Sequence, residues 1–189
     1  MTKIRKNAML MGISGKFGET HQYRKVRGKM QMVSLPERTG VLTAKQQEIK
    51  ENFLKAASYA KEQIMDPEMK AVYEAGITAK KFNAYLVAVS DSLNAPKVKE
   101  IKTTDYLGEI GDVISIEATD DFKVVRVRVI MTDGNGNKLE RGEAVQDVKN
   151  KGTWRYTATI ANIAITGTTI SVTAFDIPDN ETTLVKVLE

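Results

Sequence analysis

The 189-residue chain has no cysteine, one histidine, one tryptophan and four prolines, and only 6% of its residues are aromatic. Lack of cysteine excludes a disulfide framework, a thiolate metal site and a thiol nucleophile. The single histidine, His21, has no partner pattern around it and reads as a strand or surface residue rather than a catalytic base. Long apolar runs are also missing. Nothing approaches the ~20 apolar residues that cross a bilayer. Behind the basic start Met1-Thr-Lys-Ile-Arg-Lys6, the apolar stretch is only Ala8-Met9-Leu10-Met11, far short of the core of an export leader. The expectation is a soluble protein without a membrane span, cytoplasmic or part of an assembled particle.

Catalytic and cofactor signatures fail at identifiable residues. A phosphate-binding Walker loop ending at Gly15-Lys16 would need glycine where Leu10 stands and serine or threonine where Phe17 stands. Gly12-Ile-Ser14 is not a nucleophile elbow, because Lys16 occupies the place of its closing glycine. Asp133, Asn135 and Asn137 have the first spacings of a calcium loop, but Lys138 replaces the required glycine and Ala144 the final glutamate. A hairpin turn explains those residues more simply; a calcium ion there would need further oxygens, for which Asp120, Asp121 and Asp179 are the candidates. The chain is expected to be no enzyme, with no cofactor and no metal.

Charge is distributed unevenly. The net charge is +4, yet residues 1–30 hold eight Lys or Arg against the single Glu19, which gives +7 and leaves −3 for the remainder. A basic arm before a mildly acidic body points to an acidic partner, which includes the body of a neighbouring copy.

Three segments follow from pattern. Residues 1–42 form a basic arm, with a β-hairpin over residues 19–35 that turns at Arg27-Gly28. A two-residue turn sets Tyr23 opposite Met32 and Lys25 opposite Met30, with Val26, Val33 and Leu35 on the other side. Residues 43–95 are helical. Thr43 and Gln46 make a capping box, and Ile49, Phe53, Ala56, Ala57, Ala60 and Ile64 fall on one face. Asp66-Pro67 starts a short second helix that Gly76 ends; Thr78 opens a third with a stripe of Phe82, Tyr85, Leu86, Val89 and Leu93. Residues 96–189 change to period two. Ile114, Ile116 and Ala118, then Val125 to Met131, Trp154 to Ile160 and Ile170 to Ala174 alternate with polar residues between Asp, Asn and Gly turns. With short runs near Val98, Leu139 and Leu184 they make about seven strands. The fold class is α+β: an N-terminal β-hairpin arm and helical hairpin followed by an immunoglobulin-like antiparallel β-sandwich.

Asp120-Asp-Phe-Lys-Val-Val-Arg-Val-Arg-Val129 running into Thr132-Asp-Gly-Asn-Gly136, and Val172-Thr-Ala-Phe-Asp-Ile-Pro-Asp-Asn180, resemble bacterial immunoglobulin-like domains. The resemblance covers the last half of the chain. It implies a rigid spacer or contact platform, the role of such modules in adhesins and in surface or virion proteins. Gly12-Ile-Ser-Gly-Lys-Phe-Gly18, Gln22-Tyr-Arg24, Arg27-Gly28, Thr43 to Gln47 and Phe53 to Ala60 are similar to a group of short uncharacterised bacterial proteins. That second likeness implies the architecture and no activity.

Four of the eight methionines, Met9, Met11, Met30 and Met32, sit in the arm at strand spacing. Methionine adapts to irregular surfaces, and an isolated ribbon is marginal unless it lies against something. The functional expectation is a structural subunit that self-assembles through Met9, Met11, Tyr23, Met30, Met32, Val33 and Leu35, its partner being another copy of itself. Two alternatives stand beside it. Arg5, Lys16, Arg24, Lys25, Arg27 and Lys29, with Tyr23 for stacking, form a footprint for nucleic acid. The sandwich loops around Asp133 to Asn137 or Asn150 to Gly152 could instead offer an adaptor surface to a ligand.

Overall fold

The computed structural model describes residues 2–3, 13–35 and 40–189. The chain divides into two compact units, Met1–Lys45 and Gln46–Glu189.

The first unit is an antiparallel sheet. Strands β1 (Thr2–Lys3), β2 (Gly15–Phe17), β3 (His21–Val26) and β4 (Lys29–Ser34) lie in the order β1-β4-β3-β2. Arg27 and Gly28, at φ 50° and 76°, form the turn between β3 and β4. Positive φ at both central residues is what a type I′ turn needs, and its twist matches that of the strands it joins. The register follows: Tyr23 faces Met32 and Lys25 faces Met30. The sequence pattern marked this hairpin but neither β1 nor β2, which extend it to four strands.

The second unit begins with helices. Helix α1 spans Ala44–Gln63, α2 Pro67–Glu74 and α3 Ala84–Leu93. Asp66 caps α2 by accepting from the Glu68 N–H, and Pro67 takes the first helical position. Gly76 sits just past α2 for a reason of space. A Cβ there would lie 2.5 Å from the Phe122 ring and 2.9 Å from Val87. Thr78 does not open α3. Its hydroxyl accepts from the Lys81 N–H and its own N–H donates to the Lys81 carbonyl, closing a single turn. The helix starts six residues later at Ala84, after Asn83, whose side chain accepts from the Leu86 N–H.

The buried stripes differ from those expected. On α3 the fully buried face is Ala84, Val87, Ala88, Val89 and Asp91, whereas Phe82 and Leu93 are exposed. The expected stripe followed the largest side chains; the observed one follows small residues that let helices approach closely around Tyr73, Ala56 and Ala60. On α1 only Ala56 and Ala60 are buried, and every residue from 43 to 55 is exposed, including Ile49 at 60% and Phe53 at 50%. Helix α1 has 20 residues against 8 and 10 in its partners, and among the described residues no helix covers its first turns.

The sandwich has eight strands. One sheet runs β5 (Lys97–Lys102), β6 (Val113–Thr119), β10 (Thr153–Thr157), β9 (Val145–Gln146); the other runs β12 (Glu181–Val187), β11 (Thr169–Phe175), β7 (Arg126–Thr132), β8 (Lys138–Glu143). In chain order these are the A, B, E, D and G, F, C, C′ strands of the immunoglobulin arrangement. Alternate residues of β6, β7 and β11 bury Ile114, Ile116, Val127, Val129, Met131, Ile170 and Val172 between the sheets. Each such side chain contributes roughly 1.5–3 kcal/mol of burial. Val125 and Ile160, expected to extend this alternation, lie outside the strands and are exposed.

The helices pack on one end of the sandwich through Phe122 and Ile177, which join the helical core from the turns after β6 and β11. The Phe122 ring stacks on Tyr73 at 5.2 Å between centroids. Lys81 reaches Asp121 at 2.7 Å across the same joint.

Candidate functional site

Residues directly opposite in an antiparallel pair share a face, and this rule sorts the ribbon into two unlike surfaces. Gly15 pairs with Tyr23 and Phe17 with His21, while Tyr23 and Lys25 pair with Met32 and Met30. Phe17, Tyr23, Met30 and Met32 therefore lie on one face together with Lys25. The Phe17 and Tyr23 rings meet edge to face at 5.7 Å. The opposite face carries Lys16 against Gln22, Arg24 against Gln31, Val26 against Lys29, and Val33. One surface is aromatic and thioether with His21 and Lys25 among them, the other basic and amide with Val26 and Val33.

No residue from 13 to 35 is buried. Phe17 is 64% exposed, and Tyr23, Met30, Met32, Val33 and Leu35 are half-buried. The structure thus brings Tyr23, Met30 and Met32 together, adds Phe17 to them and sets Val33 on the other face. Lys16, Arg24, Lys25, Arg27 and Lys29 are all exposed. Arg5, Met9 and Met11 lie outside the described residues. Along the free side of β3, β2 covers only His21 to Tyr23.

Phe17 reaches the Tyr23 face through β2, a strand of three residues and too short for alternation to reveal. Ile49, Phe53 and Leu54 on α1 were read, in part, as core and are instead exposed. Ile49 and Phe53, one turn apart, share an exposed face of α1.

The Asp133 loop is a self-contained turn. Asp133 Oδ1 accepts from the Asn135 and Asn137 N–H groups at 2.9 and 2.8 Å, and Oδ2 accepts from Asn137 Nδ2 at 3.0 Å. These bonds hold its carboxyl below the usual aspartate value. Asp120 and Asp121 precede β7 and Asp133 follows it, so they stand at opposite ends of that strand and cannot share an ion with it.

A different acidic group forms where the helices meet the sandwich. Asp91 of α3, Asp120 after β6 and Asp176 after β11 each bring one carboxylate oxygen within 4.8 Å of the others. Asp91 and Asp176 are fully buried. Burial pushes the Asp91 carboxyl up to about 8; the Tyr73 hydrogen bond acts against this, and the charges of Asp120, Asp176 and Asp121 add to it. Burial likewise raises Asp176, opposed by its bonds from Asn180. One signal for this group was present in the sequence: Asp91 falls at helical spacing from Ala84, Val87 and Ala88, a carboxylate in line with apolar residues.

A scan of known protein-family models, a search of curated proteins and a search of solved structures each found no match to this chain. Among the described residues, no helix is long and apolar enough to cross a membrane.

Proposed function

We propose that this chain is a non-enzymatic structural subunit that self-assembles through its N-terminal ribbon into a filament, tube, shell or phage-like particle. The observation that carries the reading is the ribbon itself: four strands, no buried residue between 13 and 35, and Phe17, Tyr23, Met30 and Met32 gathered on one face. A sheet in which none of the described residues 13–35 is buried gains stability from a surface to lie on. A neighbouring copy supplies one, either by covering the Phe17 face or by pairing with the uncovered half of β3. The immunoglobulin-like sandwich then acts as the body and spacer, in keeping with the resemblance of its sequence to bacterial modules used that way. Such an arm-to-body contact is heterologous and builds rings or open arrays.

Removing residues 1–35 tests this. The Gln46–Glu189 unit has its own cores and is expected to stay folded, keeping its three helices and the sandwich strands in circular dichroism and a cooperative melt while the ribbon's own strand signal and assembly are lost. Equal assembly with and without the arm would refute the proposal.

The basic face of Lys16, Arg24 and Lys29 supports a second reading, an accessory protein that grips nucleic acid without sequence preference. Filter binding at two salt concentrations separates the two. Retention of DNA or RNA that weakens with salt favours the second reading, and no retention at low salt removes it.

A further inference from the structure

The three carboxylates at the joint between helices and sandwich are each held by donors on one side, and two of their oxygens are buried without one. Asp176 is fixed by Asn180, whose backbone N–H donates to Oδ1 at 2.7 Å and whose Nδ2 donates to Oδ2 at 2.8 Å. The same Nδ2 reaches the carbonyls of Asp91 and Ser92 at 3.2 and 3.4 Å, tying the turn after β11 to α3. Asp120 Oδ2 accepts from the Phe122 and Lys123 N–H groups at 3.3 and 3.0 Å. Asp91 Oδ2 accepts from the Tyr73 hydroxyl at 2.9 Å. In each of Asp91 and Asp120, however, the other oxygen, Oδ1, is buried and has no donor. Lys81 is engaged by Asp121 at 2.7 Å, and Lys97 and Lys123 line the clefts beside Asp120.

Two buried carboxylate oxygens without donors, beside a third buried carboxylate, are costly unless a positive charge or a proton sits among them. An all-oxygen, all-carboxylate set suits a hard divalent cation rather than zinc or copper. Oxygens on opposite sides of a calcium ion are about 5 Å apart, twice its 2.3–2.6 Å bond length, so oxygens within 4.8 Å of one another can face one ion. Asp120 also lines two open surface clefts, one bounded by Val72 and Phe122 and one by Asn94 and Pro96, which give ions and water a route in.

We propose that Asp91, Asp120 and Asp176 bind one calcium ion that clamps α3 to the turns after β6 and β11. Water entering from the clefts completes the shell, and the ion fixes the angle between helices and sandwich. This site is independent of the ribbon and of the assembly reading.

Full-length protein stripped with chelator and titrated with calcium chloride in a calorimeter should show one site per chain. Its melting temperature should rise by roughly 5–10 °C at a hundredfold excess over Kd, with magnesium less effective. Asp120→Asn, at the half-buried position, should weaken calcium binding more than tenfold, while Asp133→Asn at the far loop should leave it unchanged. Asp176→Asn repeats the test should Asp120→Asn fail to fold. No heat and no melting shift with millimolar calcium would overturn the proposal and leave a proton shared among the carboxyls. Binding lost in Asp133→Asn but kept in Asp120→Asn would overturn it too, by moving the site to the hairpin.

Discussion

The Tyr73 hydroxyl donates to Asp91 Oδ2 at 2.9 Å, and both side chains are fully buried. This bond links α2 to α3, and Tyr59 extends it with a hydroxyl contact to Tyr73 at 2.9 Å. Burial raises the Tyr73 hydroxyl far above its ordinary range, with the Tyr59 bond and the Asp91 charge adding to the effect, so it stays a donor at any working pH. Tyr73→Phe keeps the ring stack on Phe122 but strips Asp91 Oδ2 of its donor. It should cost about 1–3 kcal/mol in urea unfolding. A loss below a few tenths of a kcal/mol would mean that another group satisfies Asp91.

Gly76 is set by the space beside Phe122. Gly76→Ala would place its Cβ 2.5 Å from that ring and should destabilise by about 1–3 kcal/mol through overpacking. Gly142 has the same relation to Tyr156, whose ring would meet a new Cβ at 2.7 Å. Pairing Gly76→Ala with Phe122→Leu should recover part of the loss, which a double-mutant cycle would read directly.

Glu140 gives the sandwich an acid-sensitive element. Its Oε1 accepts from the Tyr156 hydroxyl and from both the N–H and the hydroxyl of Thr159. Burial pushes this carboxyl up, but the bonds from Tyr156 and Thr159 outweigh it and hold it below the usual value. A carboxyl depressed on folding adds stability above its unfolded pKa, about 4.3, and loses that contribution as pH falls through the folded value. Stability should therefore drop as the pH is lowered from about 4.3. Glu140→Gln should cost about 1–3 kcal/mol at pH 7 and flatten the acid limb of a pH series. An unchanged slope would place the acid sensitivity elsewhere.

Phe53 is a large apolar residue on the exposed half of α1. Phe53→Ser should change body stability by less than about 0.5 kcal/mol, as surface substitutions do, whereas Ala60→Leu, at a fully buried position, should cost about 1–3 kcal/mol by overpacking. A large loss from Phe53→Ser would mean that this half of α1 is covered in solution, for example by a second copy.

These contrasts mark what the sequence could and could not reveal. Period-two alternation found β6, β7, β10 and β11 because one side of each strand faces a dry core. The Arg27-Gly28 turn set the ribbon register because two residues at positive φ leave one pairing. The stripe on α1 identified residues sharing a face, but periodicity does not tell whether a partner is long enough to cover Ile49 and Phe53. Strand β9 has two residues and β2 three, too short for alternation to register. Asp91, Asp120 and Asp176 are 29 and 56 positions apart in the chain, and only the packing of α3 on the turns after β6 and β11 brings them together.

On the proposed reading, the ribbon joins copies of this chain. Light scattering of full-length protein across a salt series, with negative-stain microscopy of the same samples, tests it most directly. Particles far heavier than the 21.0 kDa chain, loosening as salt screens the Lys16, Arg24 and Lys29 face, are the predicted result. A monomer of that mass at every salt concentration would contradict it.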